Sequence, residues 1–254
     1  MIFAIDIGNT NIVLGLIENG EIKDSTIRSR TERDATWAEY AIKLKDFFEF
    51  WGEDAKSIEC SIISSVVPSV TDNVAKALES LTGKKCIIVS NKLKTDINIK
   101  IDDPSSLGAD LLVGAVGAVE YYGAPCIVLD LGTGTTITAI DKDQNFLGGA
   151  IIPGVKLSYN ALSSGTSLLP SISISAPEKC IGTNTVDCMR SGAVFGTASM
   201  IDGMIERMTD EMGPCKVIAT GGLASSIVKE CKTEIICDDD LLLKGLWEIY
   251  RKNS

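Results

Sequence analysis

Residues 2–22 (IFAIDIGNTNIVLGLIENGEI) and residues 126–152 (CIVLDLGTGTTITAIDKDQNFLGGAII) read alike, and this internal repeat constrains the fold more than any other feature of the 254-residue chain. Each copy has an apolar run, then Asp-x-Gly with small hydroxyl or amide residues, then a second strand-like run, a polar turn and a third strand. The turns are Glu18-Asn19-Gly20 and Asp141-Lys142-Asp143, and the copies align Asp6 with Asp130 and Gly8 with Gly132. A β-hairpin-plus-strand unit used twice predicts two related lobes facing each other.

The remaining pattern fills in an α/β order. Apolar residues at helical spacing predict a helix over 35–50, a buried strand over 60–68 ended by Pro68, a helix over 69–82 and a strand at CIIVS. The small apolar stretch 111–122 predicts a helix between the lobes, and 185–212 a long helical run. KVIATGG (216–222) predicts a strand entering a glycine turn, and 240–252 a final helix. Strands and helices alternating in both halves give an α/β fold with mixed sheets, divided into residues 1–112 and 113–254.

Composition narrows the chemistry. A chain that is 45% hydrophobic with only 7 prolines has ample core material. MIFAIDIGNT reaches an Asp by residue 6 and no run of eighteen apolar residues occurs, so a soluble cytoplasmic protein with no cleaved leader and no membrane partner is expected. A net charge of -10 argues against nucleic acid as a partner, because that needs a basic face. No histidine is present, which removes Ser-His and Cys-His dyads and the histidine base; acid-base work falls to Asp, Glu, Lys, Tyr or Cys. The eight cysteines are scattered without a C-x-x-C, so structural zinc is not expected, and Cys86 and Cys126 sit in apolar runs where a thiol acts as a small hydrophobe. Anionic ligands must be held by backbone N–H groups, helix N-termini and metal ions.

Three segments could do this. Asp6-Ile7-Gly8-Asn9-Thr10-Asn11 puts a carboxylate at a strand end beside a glycine that lets phosphate approach the backbone. Read alone, it is equally an ordinary turn satisfied by Asp and Asn. Asp130-Leu131-Gly132-Thr133-Gly134-Thr135-Thr136 is the same device with more hydroxyls, and two aligned copies make the chance reading much weaker. Thr220-Gly221-Gly222-Leu223 would let a flat ring such as adenine lie against the backbone; the bland reading is a plain strand-to-helix turn. Walker A and protein-kinase catalytic patterns are absent, so a nucleotide site must be of the two-hairpin type.

The order of these motifs resembles the actin, sugar kinase and Hsp70 superfamily and, within it, the type III pantothenate kinases from end to end. Ser64-Ser65-Val66-Val67-Pro68, Gly148-Gly149-Ala150-Ile151-Ile152-Pro153-Gly154, Gly165-Thr166-Ser167-Leu168-Leu169-Pro170 and Ile181-Gly182-Thr183-Asn184-Thr185 also match. The resemblance implies two tandem ribonuclease H-like (actin-like) lobes with mixed β-sheets flanked by helices. It further implies a homodimeric kinase that phosphorylates pantothenate with ATP, Mg2+ and an activating K+ or NH4+, the first step towards coenzyme A. By position, Asp6, Ile7, Gly8, Asn9, Thr10, Asn11, Ile12 and Val13 would form the first ATP loop, with Thr133, Gly221 and Gly222 completing the nucleotide site. Asp130 would bind the monovalent cation, and Asp110 would be the general base. Leu107, Gly108, Ala109, Asp110, Leu111 and Thr185 would contact pantothenate. From the residues alone, Asp110 is as well placed to be a helix N-cap.

Two departures stand out. The family's Gly-x-Asp-Arg is here Gly108-Ala109-Asp110-Leu111, which removes a donor fork for an acidic substrate, and Ile101 stands near the place of a family tyrosine. Arg190 and Lys156 are the visible basic candidates to compensate. The rival readings are a paralogous kinase acting on a less acidic alcohol, a non-catalytic nucleotide-binding regulator, and an ATPase of the actin or Hsp70 sort.

Overall fold

The first repeat folds as β1 (Ile2–Ile7), β2 (Asn11–Glu18) and β3 (Glu21–Arg30) in a computed structural model that describes all of residues 1–254. Antiparallel pairing joins β1 to β2 and β2 to β3, while β4 (Cys60–Ser65) and β5 (Cys86–Ile88) run parallel on the other side, giving the order β3-β2-β1-β4-β5. Every residue of β1 is buried, as a central strand covered on both faces requires.

Helix α1 (Trp37–Trp51) begins in a capping box, with the Thr36 side chain accepting from the Glu39 N–H and the Glu39 carboxylate accepting from the Thr36 N–H. It ends at Gly52 in the left-handed region. Its buried face of Tyr40, Leu44, Phe48 and Trp51 meets Phe3, whose ring centroid is 4.9 Å from that of Phe48. Burying side chains of this size contributes roughly 1.5–3 kcal/mol each. Helix α2 (Pro68–Thr82) joins the same core through Val70, Val74, Ala77 and Leu78. Pro68 was expected to end a strand; β4 stops at Ser65 and Pro68 instead opens α2, where its missing N–H costs nothing.

The second repeat gives β7 (Cys126–Leu131), β8 (Gly134–Ile140) and β9 (Asn145–Pro153), with β10 (Lys216–Thr220) and β11 (Ile236–Cys237) parallel to β7 and the short β6 (Asn98–Ile99) beside β9. The order β11-β10-β7-β8-β9-β6 repeats that of the first sheet with one strand added. Its core joins Ile127, Leu129, Leu131 and Ile137 to Val194, Ala198, Ile201 and Ile205. The expected helical run over 185–212 is α5 (Thr185–Ser191) and α6 (Thr197–Met212) joined by a π-helical turn at Gly192–Gly196.

Two compact units result: Met1–Ile97 with Asp102–Glu120 and Leu241–Ser254, and Asn98–Ile101 with Tyr121–Asp240. The division at 112/113 is thus replaced by an interleaved one, for a reason invisible in linear order. Helix α3 (Ala109–Tyr122) and the C-terminal α8 (Leu241–Asn253) pack against each other where two glycines allow it. A Cβ at Gly245 would stand 2.1 Å from the Val113 carbonyl oxygen, and one at Gly117 would stand 2.6 Å from that of Leu241. Lys252 fixes the same corner by donating to Asp96 and Glu120.

Helix α4 (Val155–Ser164) was not expected, although Val155, Tyr159 and Leu162 stand at helical spacing; of its residues only Val155 is buried. The short α7 (Ala224–Val228) follows the glycine pair as expected. No helix is long and apolar enough to cross a membrane. All eight cysteines are free thiols. Cys126 is buried and Cys86 half-buried, and burial pushes both thiols up to about 12, whereas Cys180, Cys188 and Cys237 are exposed rather than core residues.

Candidate active site

In the first unit the loop Gly8–Thr10 closes the β1–β2 hairpin. The Gly8 N–H donates to the Asn11 carbonyl at 2.9 Å, and Thr31 on the far side ties the loop down, its hydroxyl donating to the Gly8 carbonyl at 2.7 Å. Asp6 lies at the end of β1, directly across from Ser64 of the parallel β4, and the Ser64 hydroxyl donates to Asp6 Oδ1 at 2.8 Å in a buried setting. Asn9 and Thr10 are exposed, and Arg33 donates to Asn9 Oδ1 at 2.7 Å. Ile7 and Ile12 are core side chains, 0% and 4% exposed, so a ligand could meet only their backbone. Val13 is half-buried on β2. Ser64, Thr31 and Arg33 belong to this loop's surroundings; of these, the sequence reading touched only Ser64, as part of a motif.

The proposed base sits on the same unit. A 3₁₀ turn at Pro104–Ser106, capped by Asp103 accepting from the Ser105 N–H at 2.9 Å, leads through Leu107 and Gly108 into α3. Asp110 is the second residue of that helix, not its N-cap, and the Leu111 N–H donates to its Oδ1 at 2.8 Å. Burial raises the Asp110 pKa above the usual aspartate value, and the hydrogen bonds from the helix N-terminus only partly offset this. A Cβ at Gly108 would stand 2.5 Å from Asp110 Oδ1, so a side chain here would turn the carboxylate out of this position. Leu111 and Ala109 are half-buried and bring no charge.

In the second unit the structure gathers Asp130, Gly132, Thr133, Gly221 and Gly222. The pairing of β7 with β10 sets Asp130 across from Thr220, so the hairpin loop and the glycine turn meet at this carboxylate. Gly221 has φ +99°, and a Cβ there would stand 2.5 Å from Asp130 Oδ1 and 2.7 Å from the Leu131 backbone. Thr133 is exposed at the loop tip, and Gly154 underlies it by donating its N–H to the Thr133 carbonyl at 3.2 Å.

Beside the glycine turn lies a cavity of about 330 Å³ lined by Lys156, Tyr159, Asn160, Ile172, Ser173, Ile174 and Leu223. Burial raises the Tyr159 phenol. Arg190 holds the wall, its Nη2 donating to Ser173 Oγ at 3.0 Å. The sequence reading missed this cavity with α4, although Leu223 after Gly221-Gly222 was a signal. Thr185 is the first residue of α5, exposed, behind an N-cap in which Asn184 accepts from the Asp187 N–H at 3.0 Å. Ile101 packs beside Gly148 in the second unit, whereas Leu111 belongs to the first.

Oxygen ligands and backbone donors dominate these loops, and nowhere do three or more Cys, Asp or Glu residues gather as a metal cage. That set fits a hard cation held by one or two carboxylates together with phosphate oxygens, the usual arrangement for Mg2+.

Two sheets of one strand order, each with an Asp-x-Gly hairpin, define the actin-like ATPase and sugar kinase class. Solved structures agree on that fold. A protein from Sinorhizobium meliloti assigned as a 2-dehydro-3-deoxygalactonokinase matches with TM-score 0.64 and 13% identity, over 99% of this chain and 96% of its own. Component A of the (R)-2-hydroxyglutaryl-CoA dehydratase of Acidaminococcus fermentans matches with TM-score 0.58 and 15% identity over 98% and 97%. A Campylobacter jejuni protein assigned to the Baf family of transcriptional activators matches with TM-score 0.57 and 20% identity over 99% and 98%. The family model for type III pantothenate kinase matches residues 2–207, and the chain belongs to that family. It is accordingly a kinase that uses ATP with a divalent metal, and the family match favours pantothenate over the rival readings.

Proposed function

We propose that Asp110 is the general base of the phosphorylation of pantothenate to 4'-phosphopantothenate, and that the two Asp-x-Gly hairpins hold the nucleotide. The observation that carries this reading is the Asp110 carboxyl itself: half-buried at the start of α3, hydrogen-bonded through Oδ1, and raised in pKa by burial. A carboxylate made more basic in this way is better matched to receiving the proton of an attacking primary hydroxyl. Phosphoryl transfer through a loose transition state asks the protein mainly for positioning and charge neutralisation. The backbone and hydroxyls of Gly8–Asn11 and of Gly132–Thr133 would orient phosphate oxygens, and Ser64 would keep Asp6 in one rotamer. When bound, the divalent cation offsets phosphate charge, and Asp6 and Asp130 are the carboxylates positioned to serve cations, Asp130 for K+ or NH4+. The cavity beside Gly221-Gly222, with aliphatic walls and polar rim groups, suits the nucleoside end of ATP. Leu107–Leu111 and Thr185 would contact pantothenate, in a cytoplasmic homodimer.

Steady-state ADP release with Mg-ATP and K+, with and without pantothenate, tests the reading in wild type and Asp110→Asn. A pantothenate-dependent rate that falls by about 10²–10⁴-fold in the variant, with ATP binding retained, is expected. Unchanged turnover in Asp110→Asn would remove this residue from the chemistry.

A further inference from the structure

We propose that Lys156 is a nucleotide-binding residue that pairs with the α-phosphate of ATP, the phosphate next to the nucleoside. The inference rests on reading the cavity beside Gly221-Gly222 as the nucleoside site, and it adds a charged partner that the motif positions do not supply. Lys156 lines that cavity with Tyr159, Asn160 and Ser173, and no lining residue is acidic. The lysine is exposed and takes part in no hydrogen bond or ion pair of the chain. The other cation at this wall is engaged: Arg190 donates to Ser173 Oγ at 3.0 Å and stands 4.0 Å from Asp187. In a chain of net charge -10, an ammonium left without a carboxylate on the wall of a cavity is matched to an anionic ligand.

The backbone sets this lysine between the cavity and the second Asp-x-Gly loop. Strand β9 ends where Pro153 pairs with Gly134, and Gly154 then passes under the loop: a Cβ there would stand 2.2 Å from the Thr133 carbonyl oxygen and 2.6 Å from that of Gly132. Lys156 follows as the second residue of α4, so its Cα lies within about 7 Å of that of Gly154. A flexible four-carbon stem extends its reach further. The Gly132–Thr133 loop is where phosphate oxygens would be oriented and the cavity is where the nucleoside would lie; the group that joins the two in ATP is the α-phosphate. An ammonium at that join meets it as a point charge. Because the α-phosphorus is not attacked, the contact is equally strong in ground and transition states and acts on binding rather than on turnover. Lys156 thereby serves the nucleotide and does not stand in for the arginine absent at Leu111.

Ligand-observed NMR titrations of the full chain with adenosine, AMP, ADP and a non-hydrolysable ATP analogue test this in wild type, Lys156→Gln, Lys156→Arg and Asn160→Trp. Wild type should bind AMP more tightly than adenosine. Lys156→Gln should weaken AMP, ADP and the analogue by a common factor of about 10 and leave adenosine unchanged, and Lys156→Arg should restore most of the loss. Steady-state kinetics of Lys156→Gln should show the KM for ATP raised by that factor, with kcat within about 2-fold of wild type. Unchanged affinities in Lys156→Gln would overturn the proposal. So would an equal loss for adenosine, a loss that spares AMP, or a wild type that binds AMP no more tightly than adenosine. Asn160→Trp brings an indole to the cavity from an exposed position on α4 and should weaken all four ligands, adenosine included. If it does so while Lys156→Gln is silent, the role of Lys156 fails and the nucleoside reading stands; if it leaves all four ligands unaffected, both fail.

Discussion

The two copies of the Asp-x-Gly hairpin share strand order, with the first turn one residue longer than the second, yet each carboxylate has a different neighbour on its parallel side. Asp6 is 8% exposed and receives a hydroxyl from Ser64; the chain beyond it continues through Ser65, whose Oγ accepts from the Val67 N–H at 3.0 Å and from Thr71 at 2.7 Å, into α2. Asp130 is half-buried, and the chain beyond Thr220 continues through Gly221 and Gly222, with backbone where the first copy has a side chain. One copy spends the turn after its parallel strand on internal hydrogen bonds. The other leaves a surface without side chains, next to a cavity. The turn beside the carboxylate is thus sealed by side chains in one unit and left as open backbone in the other, and the distinction comes from the residue after the one that faces the carboxylate, Ser65 or Gly221.

The largest expected effect tests the open copy. Gly221→Val introduces a Cβ 2.5 Å from Asp130 Oδ1 at a φ of +99°, where a β-branched residue is strained. Nucleotide affinity measured by calorimetry should fall by about 100-fold or more, since displacing the turn by even an ångström misplaces the loop it meets. The matched change Ser65→Gly makes the first copy look like the second and should leave nucleotide affinity within a few fold. Equal losses in both variants would break the comparison.

A middle-sized effect tests the sealed copy. Ser64→Ala removes a hydroxyl from a buried carboxylate, and hydrogen bonds to charged groups are worth ~1.5–3 kcal/mol. Urea denaturation should show a lower midpoint with little change in slope, the product of slope and midpoint shift amounting to a loss of that size. A loss below ~0.5 kcal/mol would mean that Ser64 is not a significant partner of Asp6.

Much of this was legible in the chain. The repeat announced two related sheets because alternating apolar runs and Asp-x-Gly turns are local signals, and nearly every long helix followed from apolar spacing. The interleaved units were not legible, because a Gly245–Val113 approach joins residues over a hundred positions apart. Helix α4 was missed because its apolar spacing is short, Val155, Tyr159 and Leu162 within 10 residues, and with it went the cavity residues Lys156, Tyr159 and Asn160. The place of Asp110 was half legible: the turn signal before it was read, but whether it capped the helix or entered it depended on the 3₁₀ turn at Pro104–Ser106.

Asp110 gives the smallest effect and the sharpest contrast, because it is a carboxylate held by helix N–H groups and not by a strand partner. Its folded-state pKa is raised by burial, so it favours folding only while protonated. That contribution is complete below the unfolded value and is lost as pH rises through the folded one; at neutral pH the ionised group is a cost. Asp110→Asn removes the charge and keeps an oxygen for the Leu111 N–H. The variant should therefore gain ~1 kcal/mol at pH 7, roughly 2–4 °C in Tm for a chain of this size. The gain should shrink as pH falls towards the aspartate range, where wild type becomes neutral at this position too. A Tm lowered by the substitution, or a gain independent of pH, would show that the helix N-terminus outweighs burial, and the basic carboxylate proposed for catalysis would lose its physical support.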